Sequence, residues 1–585
     1  MKLSSRVLAV AIVGVISTSV AQAQDRTSAG VQADQRIPEE TFVYFSIPSV
    51  NTMKARMAKS HSWGIFSDPA FEEFKTEVQN ALGDQLEEAK GQLEENLGVT
   101  PMELLQIPSG QFSFAVSEAE GEMGLIMFVD FGDSREIVDG LLAKARKALA
   151  EDGIEMTTES YSGTDMNIFE IPNAEDNPIA RSLIWAIKDT ELIVATNEPL
   201  MKVALSNWDG SESDTFVANS NWAYVKERCS SGNKHGMLNW YVDPIGAFDS
   251  IANSGAVPQA GIAAAFLPTL GLDKLDGMGG VMDVATEKYD AVNKMVYLCE
   301  DPSGVLKVFT FKEGDMAPPK WVPSDVSMYS GMNWDVTGAY NAVETLMDSF
   351  SAPGALAGMV DDMAQEGPGI HVKDDLIDQL TGMIQMIGAG GENEAAADPG
   401  VPAGAAALLS SKMAIALGCK DAEAMKKLVT KISEMPGFPG EVREFRDTML
   451  VEIPNPQGGP TIGMGVTQGN FVLSTDVELL EAISRGDADS SLVASEAYKK
   501  VAAEFPSKTM SIFFSDPKAS YKSMYEGMRN GDPAELFPGM GELLENIDFT
   551  KLPKFEDLAK YLLPTGGFTV SDDRGAFSQS FTLAP

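Results

Sequence analysis

The sequence repeats a series of motifs in the same order in its two halves, and this repetition constrains the fold more than any other feature. The tetrapeptide Glu170–Asn173 returns unchanged at Glu452–Asn455. Further segments match in collinear order: 37–44 with 322–329, 192–197 with 471–476, 237–244 with 510–517, and 279–281 with 566–568. Because ordered self-similarity is the signature of repeated structural units, we predict two homologous units, at residues 37–317 and 322–585, with a junction near Pro318 and Pro319.

Each predicted unit alternates short strand patterns with helical patterns. Residues 42–47 are rich in aromatic and β-branched types, as expected for a strand. Apolar residues recur at helical spacing after Asp133 and after Asp421, and we predict that both aspartates cap helices, as do Asn197 and Asp476. Short strands joined by tight polar turns favour antiparallel pairing. The predicted fold class is therefore α+β, with two tandem homologous units, each a mainly antiparallel sheet with packed helices.

One segment distinguishes the second predicted unit from the first. Residues 388–407 consist mainly of Gly, Ala, Pro and acidic residues, without periodicity. Because such a composition cannot bury enough apolar surface to fold, we predict that this segment is a flexible surface insertion.

The N-terminus has the three parts of a secretory signal peptide. Lys2 and Arg6 supply the positive charges, residues 7–20 form the apolar part, and Ala21–Ala23 is a small-residue cleavage site. The apolar part is short for a membrane span, which needs about 20 residues, although a retained anchor is the alternative interpretation. We therefore predict that residues 1–23 are removed on export.

The segments after the signal peptide indicate a soluble exported protein without a transmembrane anchor. Residues 24–36 are predicted to be an N-terminal linker. The most apolar later segment, residues 256–272, contains Pro258, Gln259 and Pro268, which fit a helix and a turn better than a membrane span. Either the periplasm or the external medium is compatible with these features.

The formal net charge of −41 limits the classes of partner. Nucleic-acid binding needs a basic surface, and anionic membranes repel an acidic protein for the same electrostatic reason. The sequence therefore disfavours both, and leaves an unknown protein or an apolar ligand as the partner.

The cysteines are too few to build a disulfide framework. Cys229, Cys299 and Cys419 are the three in the chain. A disulfide between Cys229 and Cys299 stays open, because both belong to the first predicted unit. The apolar, strand-like surroundings of Cys299 and Cys419 favour buried free thiols instead.

Several short motifs resemble those of a family of exported bacterial proteins. They are Ile37–Thr41, Trp63 with Phe66, Asp68–Pro69 and Phe71, Gly271–Asp273 before Gly279, and Val322–Asp325 before Trp334 and Asp335. In these motifs the chain resembles the secreted proteins grouped as domain of unknown function 3352, including a planctomycete-type branch. The resemblance implies export and an α+β repeat. It implies no catalytic residues, because that family has no established activity.

The sequence lacks the motifs of common enzymes. Its three histidines, His61, His235 and His371, form neither an HExxH motif nor a close pair, which disfavours the common zinc hydrolases. Nucleophile-elbow, Walker-type and dinucleotide-binding glycine motifs are absent. Paired carboxylates are too frequent in an acidic chain to indicate a glycosidase. We therefore predict no catalytic residues, no cofactor-binding residues and no cofactor.

Two acidic fragments resemble parts of calcium-binding loops. Asp209–Asp214 and Asp487–Asp489 occupy equivalent places in the two predicted units, and alternating oxygen ligands suit calcium. Neither completes a twelve-residue loop, so we interpret both as acidic turns and predict no metal ligands.

Three functions stay open at this point. The sequence favours an exported, non-enzymatic protein with a binding or envelope-structural role. The thirty methionines suit core filling, but they also suit a cavity for an apolar ligand, which would make the protein a carrier. The third possibility is an extracellular hydrolase whose site brings two carboxylates together in a cleft.

Overall fold

The computed structural model describes residues 30–81, 83, 91, 100, 104, 106–172, 177, 179–230, 236–255, 257–392, 411–455, 460–486, 491–530 and 547–585. Within these residues helices and antiparallel strands occur together, and the predicted α+β class is confirmed.

In the described part of the chain, ten strands lie between residues 41 and 298, and ten lie between residues 326 and 583. The first ten are β1 Thr41–Ile47, β2 Phe112–Ala119, β3 Glu122–Asp130, β4 Met156–Tyr161, β5 Thr164–Glu170, β6 Ser182–Lys188, β7 Glu191–Ala195, β8 Leu238–Val242, β9 Gly277–Val284 and β10 Tyr289–Leu298. The second ten are β11 Val326–Asn333, β12 Leu380–Glu392, β13 Ser411–Cys419, β14 Glu441–Phe445, β15 Thr448–Ile453, β16 Ile462–Thr467, β17 Asn470–Ser474, β18 Ser511–Ser515, β19 Thr565–Asp572 and β20 Gly575–Leu583.

The described α-helices fall between these strands. They are α1 Val50–Met57, α2 Glu72–Ala81, α3 Arg135–Glu151, α4 Glu198–Ser206, α5 Ser220–Cys229, α6 Pro244–Asn253, α7 Pro258–Ala264, α8 Leu267–Leu270, α9 Val336–Phe350, α10 Ala355–Glu366, α11 Ala422–Ser433, α12 Val477–Arg485, α13 Glu496–Ala502, α14 Pro517–Asn530 and α15 Phe555–Ala559. Short 3₁₀ helices, among them Ser62–Ser67 and Gly304–Phe309, link some of them.

All twenty strands join one sheet in which each described pairing is antiparallel. From edge to edge the order is β4-β5-β6-β7-β3-β2-β1-β8-β9-β10-β20-β19-β18-β11-β12-β13-β17-β16-β15-β14. Counted outward from the centre, the ten strands of each half follow one another in the same relative order.

The two halves of the sheet meet at β10 and β20. Val292 lies opposite Phe581, and Val296 lies opposite Phe577. Phe577 is buried in the same apolar cluster as Val296 of the first half, while Val292 is buried in a cluster of the second half. The apolar core therefore crosses the boundary that the sequence predicts between residues 317 and 322.

A glycine in each half allows a helix to approach the sheet closely. A Cβ atom on Gly279 of β9 would lie 2.9 Å from a methyl carbon of Val225 on α5. A Cβ atom on Gly566 of β19 would lie 2.2 Å from a methyl carbon of Val501 on α13. Only glycine lacks this atom, so the repeated Gly-Gly motif has the same packing role in both halves.

The structure confirms the N-caps predicted at Asn197, Asp421 and Asp476. Their side chains accept hydrogen bonds from backbone N–H groups in the first turns of α4, α11 and α12. The prediction for Asp133 is wrong, because α3 follows Ser134. The N–H of Ser134 donates to the carbonyl of Phe131, and this turn delays the start of the helix by one residue.

The predicted insertion at residues 388–407 is wrong in its first part. Gly388–Glu392 continue β12, and Gly388 pairs with Met328 of β11 and with Met413 of β13. These pairs, with those of Ala389 to Val326 and of Glu392 to Ser411, stabilise the stretch despite a composition that is unfavourable for strands. The remainder of the insertion, from residue 393, lies outside the described residues, as do residues 1–29.

The apolar segment before residue 272 forms the short helices α7 and α8, as a helix and a turn. Across the described ranges, none of the helices combines the length and the hydropathy needed to cross a bilayer.

Candidate interaction surface

The two histidines that the structure describes contact different elements. The Nε2 atom of His61 lies 2.6 Å from the carbonyl oxygen of Lys560. The Nε2 atom of His371 lies 3.1 Å from Asp361 Oδ1, and its Nδ1 atom accepts from the N–H of Asp374. His235 lies outside the described residues.

The acidic fragment Asp209–Asp214, which resembles part of a calcium-binding loop, begins with a turn. Asp209 Oδ1 accepts from both the backbone N–H and the hydroxyl of Ser211, and Gly210 has a φ of 68°. The hydroxyl and N–H of Ser211 lower the pKa of this carboxyl. Residues 487–489 lie outside the described part. Among the described residues, the histidines, cysteines and carboxylates form no group of three placed to hold a metal ion.

All three cysteines are free thiols. Cys229 and Cys299 are buried and do not form the disulfide that the sequence left open, whereas Cys419 is only partly buried. Burial raises the pKa of Cys229 to about 12. This side chain therefore stays a protonated, apolar group at neutral pH.

A polar recess lies between α5 and residues 32–34, which fall in the predicted N-terminal linker but are buried against the first half of the sheet. Asp34 is buried there and accepts from Trp222 Nε1 and from Lys226 Nζ, each at 3.0 Å. Tyr44, Gln32 and the neighbouring strand residues complete the lining. Burial, and then the charge of Asp34, raise the pKa of Tyr44 well above its ordinary value, so its phenol stays neutral.

The recess is far smaller than a lipid-binding cavity. It leaves about 20 Å³ for the centre of a water molecule, which is room for about one such molecule. Its charged groups, Asp34 and Lys226, already pair with each other. The recess therefore has the character of a structural polar network.

Buried carboxylates on the β9–β10 hairpin bind neighbouring parts of the protein. Asp283 pairs with Arg56 at 2.7 Å and accepts from the N–H of Met237. Asp290 accepts from the hydroxyl of Ser60 and from the N–H groups of His61 and Ser62. Burial opposes ionisation of Asp290, but these donors outweigh it and lower the pKa.

We expect Asp290→Asn to destabilise the protein by about 1–3 kcal/mol, because an amide NH₂ would face a buried donor in either orientation. The lowered pKa stabilises the fold at pH values above the unfolded carboxyl pKa of about 3.9, and this stabilisation is lost as the pH falls through the folded value. Urea unfolding should therefore show a difference between variant and wild type that is constant above about pH 5 and shrinks in acid.

The exposed carboxylate Asp139, which pairs with Arg135 on α3, supplies the control. Asp139→Asn should change the unfolding free energy by less than about 0.5 kcal/mol. Equal losses for the two variants, or a difference at Asp290 that persists in acid, would contradict the structural role of Asp290.

Helical segments from the two halves meet at two places, and the side chains at these places differ in chemistry. The first, which we call the closed junction, joins residues 61–81 to residues 548–562. Asp68 contacts Tyr561 at 2.7 Å and Lys560 at 2.6 Å, and the hydrogen bonds from Lys560 and then Tyr561 lower the pKa of Asp68. Phe74 and Phe549 pack with ring centroids 5.6 Å apart. These polar and aromatic groups at the closed junction therefore have partners within the chain, whereas Phe66 of the same segment is 50% exposed.

The second place, which we call the apolar surface, presents large hydrophobic side chains to solvent. Phe266 and Phe350 lie with ring centroids 6.4 Å apart and are 48% and 55% exposed. α8 and the Gly304–Phe309 helix pack against α9, and α10 packs against α9 as well. We define the apolar surface as Phe266 and Phe350, whose rings face each other, together with the other exposed hydrophobic side chains of the neighbouring segments, Ile262, Phe309, Val343, Met359 and Met363.

The exposure on α9 follows from incomplete coverage of one helix face. Val336, Ala339, Val343, Met347 and Phe350 fall at helical spacing along that face. Val336 and Ala339 are buried, but Val343 and Phe350 in the second half of the helix are exposed. Single exposed apolar residues are normal, whereas neighbouring ones mark interaction sites.

Sequence reasoning did not identify the apolar surface. The available signal was the uncharged run at 257–272, with Ile262 and Phe266 four residues apart. That pattern also predicts a helix packed into a core. Only the positions of α7, α8 and α9 show that these side chains stay uncovered.

Comparison of the chain with family models, with curated proteins and with solved structures gives no match.

Proposed function

We propose that this chain is an exported, non-enzymatic protein that binds a protein partner through the apolar surface. The observation that carries the proposal is the exposed pair Phe266 and Phe350 with its apolar neighbours. In a chain with a net charge of −41, several adjacent exposed hydrophobic side chains are a costly arrangement unless a partner covers them.

Export and duplication belong to the same proposal. The signal-peptide pattern of residues 1–23 supports delivery to the periplasm or the external medium. The common strand order of the two halves and the shared glycine motif support two homologous units that arose by duplication. The resemblance to domain of unknown function 3352 agrees with an exported α+β repeat.

The alternatives have weaker support. A carrier needs an apolar cavity, and the recess beside Asp34 is polar and holds about one water molecule. A carboxylate-based hydrolase needs two carboxylates that converge on a substrate, whereas Asp283 and Asp290 are occupied by donors of the protein itself. The uncovered hydrophobic side chains favour protein binding over both.

The experiment is site-specific photo-crosslinking in the native cell envelope. A photoreactive phenylalanine analogue at position 350 should give a discrete crosslinked protein band. The same analogue at Phe66, which is 50% exposed beside the closed junction, is the matched control and should give little product. Crosslinking to lipid would favour the carrier, and equal products at both positions would remove the apolar surface as the binding site.

A further inference from the structure

We propose that the partner presents a cationic amphipathic helix to the apolar surface; this inference rests on the proposed function and specifies the partner's chemistry. Two independent properties of the surface support it, the spacing of its apolar side chains and the sign of the charges around them.

The exposed apolar side chains suit a helix as the occupant. Val343 and Phe350 are exposed and spaced i and i+7 along α9, with the partly buried Met347 between them, over a length of about 10 Å at 1.5 Å per residue. Ile262 lies on α7, and Phe266, in the turn between α7 and α8, contacts Phe350. Ridges at this spacing receive the i, i+3, i+4 and i+7 residues of another helix.

Methionines extend the surface on the side of α10. Met359 and Met363 are exposed and lie one turn apart. Unbranched, polarizable side chains adapt to different apolar partners and are common where amphipathic helices bind. Both residues therefore fit the same occupant as the phenylalanines.

The charges on the helical segments that carry most of the apolar surface are all acidic. The helices α7 and α8 carry no charged residue, and α9 and α10 carry only Glu344, Asp348, Asp361, Asp362 and Glu366. Lys274 and Lys373 follow these segments and pair with Asp273 and Asp378. Asp361 is engaged by His371, while Asp362 and Glu366 are exposed on α10 beside the methionines. Lys307 is the one basic residue of the Gly304–Phe309 helix. Charge complementarity therefore favours Lys and Arg at the flanks of the partner helix.

The experiment measures binding of a designed probe to the whole protein. The probe is a fluorescent peptide of about 20 residues, above the length at which isolated helices are marginal in water, with Leu on one face and Lys on the other. Fluorescence anisotropy should show saturable binding that weakens as salt screens the charges. A peptide of the same composition without helical periodicity should bind about tenfold more weakly, and a Leu–Glu helix should not bind.

Substitutions test whether the probe binds at the apolar surface. Phe266→Asp or Phe350→Asp should weaken binding by about tenfold or more, as expected for a central aromatic contact. Phe66→Asp is matched in exposure and charge change and should leave affinity unchanged. Circular dichroism checks that each variant folds, and the target side chains are already exposed to water.

A matched pair of double variants tests the acidic side chains beside the apolar surface. Asp362→Asn with Glu366→Gln should weaken the probe about two- to fivefold at low salt. Asp139→Asn with Glu136→Gln, which removes two exposed charges from α3, should have little effect. Equal losses for both pairs would mean that the probe senses only the net charge, and the inference would fail.

Other outcomes overturn the inference in distinguishable ways. If Phe350→Asp leaves the affinity for the probe unchanged, a helix at the apolar surface is excluded. If the protein binds zwitterionic lipid vesicles but not the probe, and Phe350→Asp abolishes the binding to vesicles, the occupant is a lipid surface. If position 350 crosslinks to a protein but the probe does not bind, the proposed function stands and the cationic helix does not.

Discussion

Replacing Trp222 with alanine is expected to lower the free energy of unfolding by about 3–5 kcal/mol, the usual loss for a large buried aromatic side chain. Trp222 is almost completely buried. Its ring stacks on Phe216 at 5.3 Å and meets Tyr44 edge-on at 5.2 Å, and its Nε1 atom donates to Asp34. The variant would leave a cavity and remove one hydrogen bond from a buried carboxylate. Urea denaturation followed by circular dichroism measures the change.

Trp63 provides the control for this prediction. It is partly exposed and packs against Phe66 with ring centroids 5.1 Å apart. Trp63→Ala should cost no more than about 1 kcal/mol. Similar losses at the two positions would contradict the burial of Trp222 in the aromatic cluster.

The second large effect is expected for Gly575→Ala at the start of β20. Gly575 has a φ of 137°, and a Cβ atom there would lie 2.2 Å from the carbonyl oxygen of Tyr297 on β10. The residue pairs with Leu298 in the central strand pair. Backbone strain and the steric clash together should cost about 2–5 kcal/mol. Hydrogen exchange should become faster in residues 289–298 and 575–583.

Gly121→Ala separates the clash from the strain. Gly121 has a φ of 80°, but a Cβ atom there would have open space around it. We expect a loss of about 1–2 kcal/mol from the backbone conformation alone, with no faster exchange in β10. If Gly575→Ala lowers the free energy of unfolding no more than Gly121→Ala does, the close approach of Gly575 to the carbonyl oxygen of Tyr297 is wrong.

The central strand pair changes how the predicted duplication is understood. Two independent domains would each keep a complete core, whereas here Phe577 of the second half is buried with Val296 of the first. Damage at Gly575 is therefore expected to reach both halves. Binding at the apolar surface is subject to the same coupling, because Phe266 and Phe350 come from different halves.

Local and periodic features could be derived from the chain alone. A side-chain oxygen before an apolar helical pattern has few alternatives to capping, so Asn197, Asp421 and Asp476 were predictable. Alternation in short segments indicates antiparallel strands for a similarly local reason. At Asp133 the same reasoning was wrong, because the turn at Phe131 decides where the helix begins.

Long-range contacts could not be derived in this way. The Gly-rich stretch at 388–392 is a strand only because β11 and β13 pair with it, and no local propensity reports on partners distant in sequence. The motif repeat likewise indicates two similar halves, but not that β10 and β20 join them in one sheet.

The sequence alone therefore established the α+β class, the motif repeat, most caps and the strongly acidic charge, since these depend on residue type and near neighbours. The tertiary structure decided the continuous sheet and the apolar surface. Ile262 and Phe266 have the same spacing whether they are buried or exposed, and only the packing of α7, α8 and α9 leaves them uncovered. Burial depends on which distant segments supply the covering atoms, and that information appears only when the whole chain has folded.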